Sequence, residues 1–309
     1  MNACAFDADV IVIGSGPAGV SVAFPLVEAG LRVLMIDGAG PEGKINRPQS
    51  KPWQKILGPD LEALLPEDGL TPKLRGPVSR RIVGKFQRAG HVRGEGFVAT
   101  GAYARGGLSQ LWGGFACEFG PEDLATWPFP IDDLRPSYKT VTERIGISGS
   151  TTDDLAEFYG SSGLLLPSLP LGPTAAQVFR RYKPGQHAPE FALGAARNAI
   201  LTIDRGNRKA CNLGLDCLWG CERGAVYDAR FDLEALQRHS CFRLRDDALA
   251  IKLSSCRGGW EVSTADGRKL RAPRTALAAG TLSTIALALP LLSNVPSELR
   301  LSLRGGSFR

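Results

Sequence analysis

The sequence predicts an α/β fold: a parallel sheet with packed helices, an antiparallel meander inserted into the same domain, and part of a second domain. Three observations predict it. Residues 10–37 read as strand, glycine turn, helix, strand and acid; residues 249–270 alternate as three antiparallel strands do; residues 150–199 shift to irregular sequence rich in Ser, Leu and Pro. A chain of 309 residues, 43% hydrophobic and 22% charged, is long enough to bury a large core and divide into about two domains.

The first strand is Val10-Ile11-Val12-Ile13, an unbroken apolar run of the kind a parallel strand covered on both faces requires. It enters the turn Gly14-Ser15-Gly16-Pro17-Ala18-Gly19. Gly14 permits the tight turn, Gly16 lets the backbone approach a pyrophosphate, and Gly19 lets the next helix pack closely on the sheet. That helix carries Val20, Ala23, Phe24 and Val27 at helical spacing, and Pro25 within it is expected to kink it or be accommodated near its first turns. A second apolar run, Leu31 to Ile36, closes on Asp37, 23 residues after Gly14 and placed to receive ribose hydroxyls. The order of these pieces is the mark of a dinucleotide site, with the helix start facing the diphosphate.

From Gly38 to about Arg93 the sequence is rich in Pro, Gly and charge and reads as a long irregular excursion. Its end is a basic run, Lys73, Arg75, Arg80, Arg81, Lys85, Arg88 and Arg93, without an acid among them. Such a run reads as a solvated basic loop or as a surface for phosphates. No RNA-binding or helix-turn-helix signature accompanies it, so nucleic acid is not an expected partner. Next come two glycine pairs, Gly106-Gly107 and Gly113-Gly114, around Leu108-Ser109-Gln110-Leu111-Trp112. Glycine at this density implies backbone pressed against something, for which a flat ring system with a polar edge is one candidate.

The segment Trp127-Pro128 to Tyr138 leads into a helix, with Asp132 or Asp133 as N-cap, that ends at Ile145-Gly146-Ile147-Ser148-Gly149. The meander from Leu249 to Leu270 turns at Arg257-Gly258-Gly259 and Ala265-Asp266-Gly267. Its exit strand, Thr275 to Ala279, meets Gly280 and then a helix of Leu, Ile and Ala. Thr275 to Leu292 has the length and neutrality at which a membrane span becomes thinkable, but Gly280, Thr281, Ser283, Thr284 and Pro290 argue against one.

Seven cysteines, an odd number, with no secretory signal visible, point to free thiols in a reducing compartment, by default the cytoplasm. Cys211, Cys217 and Cys221 lie too far apart for an ordinary zinc or iron-sulfur spacing, so no metal is expected.

Four stretches together resemble the amino-terminal part of the FAD-dependent glucose-methanol-choline oxidoreductases: Gly14 to Gly19 with Asp37, Gly106 to Gly114, Trp127-Pro128 to Gly149, and Ala278-Ala279-Gly280-Thr281. The resemblance implies a Rossmann-like FAD/NAD(P)-binding domain from residues 1–125 and 205–309, with 126–204 a partial substrate or cap region. It implies FAD as cofactor, held by Gly14, Gly16 and Gly19 at the diphosphate, Asp37 at the ribose, Gly106, Gly107 and Ser109 on the flavin side, and Ala279 and Gly280 at a second approach to the diphosphate. The implied activity is oxidation of a CH-OH group of a sugar-like or other small-molecule alcohol by hydride transfer to flavin, with the electron acceptor unknown. The family often has Asn where this loop has Trp112, and its members continue past the Ala-Ala-Gly strand into a segment that carries a catalytic His. His91, His187 and His239 match no such motif, so no catalytic base is named. Two other readings stay open: a truncated, inactive FAD-binding remnant or interaction module, and an FAD-dependent hydroxylase or NAD(P)-linked reductase.

Overall fold

The computed structural model describes residues 5–40, 77–89, 100–160, 162–182, 191–214, 217 and 220–292. The chain divides into two compact units, Met1–Pro41 with Ala235–Arg309, and Glu42–Glu234.

In the first unit a four-stranded parallel sheet is built from β1 (Val10–Ile13), β2 (Val33–Ile36), β3 (Phe242–Arg245) and β7 (Arg274–Leu277), in the order β3-β2-β1-β7. Val10 pairs with Val33 on one side and with Arg274 on the other, so β1 lies between two parallel neighbours, β2 and β7, and β3 pairs on the far side of β2. All four residues of β1 and all four of β2 are buried, as strands covered on both faces must be. Helix Pro17–Glu28 packs on β1, β2 and β7 through a buried stripe of Gly19, Val20, Ala23 and Val27, and it runs through Pro25 to Glu28. Its tight fit is the reason the stripe is made of small and β-branched residues.

The meander is β4 (Ala250–Cys256), β5 (Gly259–Thr264) and β6 (Lys269–Ala272), antiparallel in that order. Gly258 and Gly267 adopt φ values of 80° and 84°, the left-handed conformation these short turns need. Leu253, Val262 and Leu270 of the meander join Ile11, Ile13, Leu34 and Ile36 in one core. The alternate residues of β1 and β2 therefore face the meander, and the sheet is closed on that side.

The second unit has little regular sheet. Isolated bridges join Phe115 to Asn198, Ser148 to Leu166 and Asn198, and Ile200 to Val226. Helix Arg135–Ile145 ends on Gly146 at φ 78°, as its sequence implies. Its N-cap, however, is Leu134 with no side-chain cap, because the Asp132 carboxylate instead receives the Arg135 Nε donor at 2.7 Å. Part of the expected irregular excursion is also a helix, Pro77–Ala89, with Ile82, Val83 and Phe86 buried. The remainder of that excursion, with Lys73, Arg75 and Arg93, lies outside the described residues, as do His91 and His187.

No helix among the described residues is long and apolar enough to cross a membrane. The candidate stretch from Thr275 is broken into the end of β7, the helix Thr281–Ala288 and a 3-10 turn.

Candidate cofactor site

At the carboxyl edge of the parallel sheet, β1 leads into Gly14, whose N–H donates to the Ile36 carbonyl at 2.8 Å, while the Ala278 N–H donates to Ile13 at 2.8 Å. Gly14 sits at φ 107°, and a Cβ there would stand 2.3 Å from the Ala278 carbonyl oxygen. The glycine is thus needed twice, for its conformation and for the approach of the β7 exit. A Cβ on Gly19 would stand 1.9 Å from the Gly14 carbonyl oxygen, which is the close helix packing expected from the sequence.

Helix Pro17–Glu28 starts at Gly16 without any side-chain cap and with no acid in its first turn. Its first internal bond is Val20 N–H to Gly16 C=O at 3.1 Å, so the N–H groups of Gly16, Ala18 and Gly19 precede the helical ladder, and Pro17 has none. Pro17 and Ala18 are exposed. On the neighbouring strand, β7 leads through Ala278 and Ala279 to Gly280, which begins helix Thr281–Ala288, again without a side-chain cap. Gly280 adopts φ 80°, and a Cβ there would meet nothing within 4 Å. Two open helix starts therefore follow adjacent parallel strands at one edge of the sheet, where their dipoles favour an anion.

Asp37 closes β2 beside this turn. One of its carboxylate oxygens accepts the Ser15 N–H at 2.8 Å and the Ser15 hydroxyl at 2.6 Å; the other accepts the Ala39 N–H at 2.8 Å. Burial raises the carboxyl above the usual range, and the Ser15 and Ala39 donors oppose that shift. The acid thus braces the glycine turn. Ser15 is the partner that the spacing did not reveal: in the glycine pattern it occupies a variable position, and only its burial and two bonds to Asp37 mark it.

These residues fit the adenosine-diphosphate part of a dinucleotide: two uncapped helix starts, a glycine with open space above it, and an acid at the end of the second strand.

In the second unit, Gly106 and Gly107 adopt φ values of 78° and 57° and lead into a 3-10 turn, Gly107–Gln110. Ser109 is 5% exposed; its hydroxyl donates to the Gly106 carbonyl at 2.6 Å and accepts the Ala229 N–H at 2.9 Å. A Cβ on Gly106 would meet an Asp228 carboxylate oxygen at 2.9 Å. The Trp112 indole N–H donates to the Tyr227 carbonyl at 2.7 Å. What presses on this side of the loop is therefore the chain's own segment 227–229, a contact between residues far apart in sequence.

That segment is itself fixed by a buried polar group. The Tyr227 hydroxyl donates to an Asp232 carboxylate oxygen at 2.5 Å, Arg144 stands 3.2 Å from the same oxygen, and the Arg208 guanidinium lies over the Tyr227 and Phe231 rings at 5.8 and 5.1 Å. Burial raises Asp232 above the ordinary carboxylate range, against the pull of the Tyr227 hydroxyl and the two arginines. Burial likewise lowers Arg208, which donates to the carbonyls of Ile145, Gly224 and Ala225. Among the described residues no group of three or more His, Cys, Asp or Glu side chains is arranged to hold a metal ion.

The fold and the glycine turn define a dinucleotide-binding protein, and a family model described as an FAD binding domain matches residues 9–49. Paromamine 6'-oxidase of Streptomyces fradiae is 30% identical over 258 residues, 81% of this chain and 42% of that protein. The 6'''-hydroxyparomomycin C oxidase of Streptomyces lividus is 28% identical over 298 residues, 91% of this chain and 50% of that protein. Among solved structures, pyridoxine 4-oxidase from Mesorbium loti matches with a TM-score of 0.47 and 18% identity, covering 92% of this chain and 51% of that one. The chain is similar to FAD-dependent oxidoreductases of the glucose-methanol-choline type, its cofactor is FAD, and it spans about half the length of the curated relatives it matches.

Proposed function

We propose that this chain serves an FAD-dependent oxidation of a CH-OH group on a sugar-like or other small-molecule alcohol. The observation that carries the reading is the match over 81% of the chain to a relative named as an oxidase of paromamine, joined to a glycine turn built for a dinucleotide. FAD, when bound, supplies the hydride acceptor; the protein's part is to bind, orient and insulate it. The N–H groups of Gly16, Ala18 and Gly19 and the start of the helix after Ala279 and Gly280 hold the diphosphate, with Gly14 shaping the turn. Asp37 receives the ribose. Gly106, Gly107 and Ser109 are assigned to the flavin side, where the Ser109 hydroxyl acts by fixing the loop. Residues 1–125 with 205–309 form the cofactor domain, and 126–204 serve the substrate side.

The free thiols Cys117, Cys211, Cys221, Cys241 and Cys256 suit a reducing compartment, and the cytoplasm is the proposed location. A second reading, an FAD-binding part without activity of its own, is favoured by one fact: the matched relatives are about twice the matched length. Visible spectra of the purified chain with added FAD test the cofactor, and anaerobic bleaching of the bound flavin by an alcohol such as paromamine tests the activity. Flavin uptake with bleaching supports the first reading; uptake without bleaching by any alcohol supports the second.

A further inference from the structure

Tyr227, 1% exposed, has a partner for every polar atom it carries. Its N–H donates to the Ala199 carbonyl at 2.8 Å, its carbonyl accepts the Trp112 indole N–H at 2.7 Å, and its hydroxyl donates to Asp232 at 2.5 Å. Arg144 stands 3.2 Å from the same Asp232 oxygen, and the Arg208 guanidinium covers the Tyr227 ring. Asp232 and Arg208 are each 8% exposed. An acid and two arginines in such a place are a weak source of stability, because apolar side chains of similar volume often hold a core as well or better. Their effect is geometric: a buried polar group with all its partners in place specifies one arrangement of the residues around it.

Three contacts tie the loop 106–112 to that arrangement, all of them inside the second unit. The Ser109 hydroxyl accepts the N–H of Ala229, the first residue of helix Ala229–Leu236. Gly106 lies against Asp228, whose carboxylate receives the Arg230 guanidinium at 2.6 and 2.9 Å. The third contact is the Trp112 indole, and it has a chemical consequence. Indole carries one polar group, the N–H donor, and here Tyr227 takes it. The half-buried Trp112 also meets the Tyr227 ring edge-on at 6.1 Å. Its side chain therefore has no donor left for a ligand beside the loop, only an apolar ring.

We propose that Asp232 and Tyr227 are positioning residues for the flavin-side loop: Asp232 holds the Tyr227 ring, the Tyr227 carbonyl holds the Trp112 indole, and Trp112 thereby meets the flavin with its apolar ring instead of a hydrogen-bond donor. The inference rests on the proposed assignment of Gly106, Gly107 and Ser109 to the flavin side. A flat aromatic ligand gains contact area from such a ring, and only while the ring is held in place. Asp232 and Tyr227 act through Trp112, so their effects on the cofactor pass through one hydrogen bond.

The test compares Tyr227→Phe, Asp232→Asn and Trp112→Phe, and each of the first two combined with the third, with far-UV circular dichroism as the check of folding. Without FAD, hydrogen exchange at the tryptophan indole N–H groups is followed by NMR on protein labelled with 15N-tryptophan, the Trp112 signal being the one that Trp112→Phe removes. Exchange at Trp112 quickens by about tenfold or more in Tyr227→Phe and Asp232→Asn, while Trp260 in β5 keeps its rate. In an FAD titration the same two variants bind about fivefold or more weakly with displaced visible bands, and neither adds to the loss once Trp112→Phe is present. Asp232→Asn, which keeps the side-chain volume, carries the test where Tyr227→Phe does not fold. Unchanged exchange at Trp112, or equal quickening at Trp260, overturns the proposal, since the buried group then serves the fold alone. FAD bound alike by the native chain and the variants overturns the inference and leaves the functional reading standing; a native chain that takes up no FAD overturns both.

Discussion

Substituting Gly14 by Ala separates the two demands on the glycine turn. The residue sits at φ 107°, where an Ala costs about 1–3 kcal/mol in backbone strain. Its new Cβ would also stand 2.3 Å from the Ala278 carbonyl oxygen and 2.9 Å from the Ala279 Cα, all backbone that cannot rotate away. Relief therefore requires β1 and β7 to part at their shared end, where Ala278 N–H bonds to Ile13, and overpacking of this kind costs about 1–3 kcal/mol more. The sum, about 2–6 kcal/mol, is a large part of the 5–15 kcal/mol that typically holds a domain together. Gly280→Ala is the control: it has a positive φ of 80° with ψ 160° but open space around its Cβ, so it bears the backbone strain alone, about 1–3 kcal/mol. Urea unfolding followed by circular dichroism reads both. The midpoint of Gly14→Ala is expected to fall well below that of Gly280→Ala at similar m-values. Equal midpoints would refute the argument that the contact with Ala278 fixes the turn.

Three further outcomes follow from the same geometry. Asp37 carries a carboxyl raised by burial, so the folded state holds its proton more tightly than the unfolded one; that stabilisation is present at low pH and is lost as pH climbs from the ordinary carboxylate value through the raised one. Asp37→Asn has no proton to lose, and unfolding midpoints measured across this window are expected to decline in the native protein and stay level in the variant. Tyr227→Phe removes the hydroxyl that donates to Asp232 at 2.5 Å and leaves a buried carboxylate short of a donor, an expected loss of about 1.5–3 kcal/mol by urea titration. Ser109→Ala strands the buried Ala229 N–H and frees Gly106, and is expected to cost about 1–3 kcal/mol and to weaken FAD binding in a fluorescence titration.

What could be read from sequence was local. The run Val10 to Ile13, the glycine spacing and the second run to Asp37 interact within 37 residues, and the structure places β1, helix Pro17–Glu28 and β2 on them. The meander was legible for the same reason, its turns being marked by Gly258 and Gly267. Strand β3 escaped because Phe242-Arg243-Leu244-Arg245 is short and alternates with charge, a pattern that an edge strand tolerates. Helix Pro77–Ala89 was hidden by the Pro, Gly and charge around it, although Ile82, Val83 and Phe86 form an apolar stripe. The contacts that fix the site residues were long-range: Gly106 owes its form to Asp228, and Gly14 to Ala278, pairings no local pattern announces.

The most direct measurement is a titration of the purified chain with FAD, read by quenching of flavin fluorescence and by the visible bands of the bound cofactor, alongside Gly16→Val, which puts a branched side chain at the start of the helix. Saturable uptake near one FAD per chain, strongly weakened by Gly16→Val, is the result expected from a diphosphate seat at that helix start. A chain that stays colourless at every FAD concentration, or a variant that binds as well as the native protein, would contradict it.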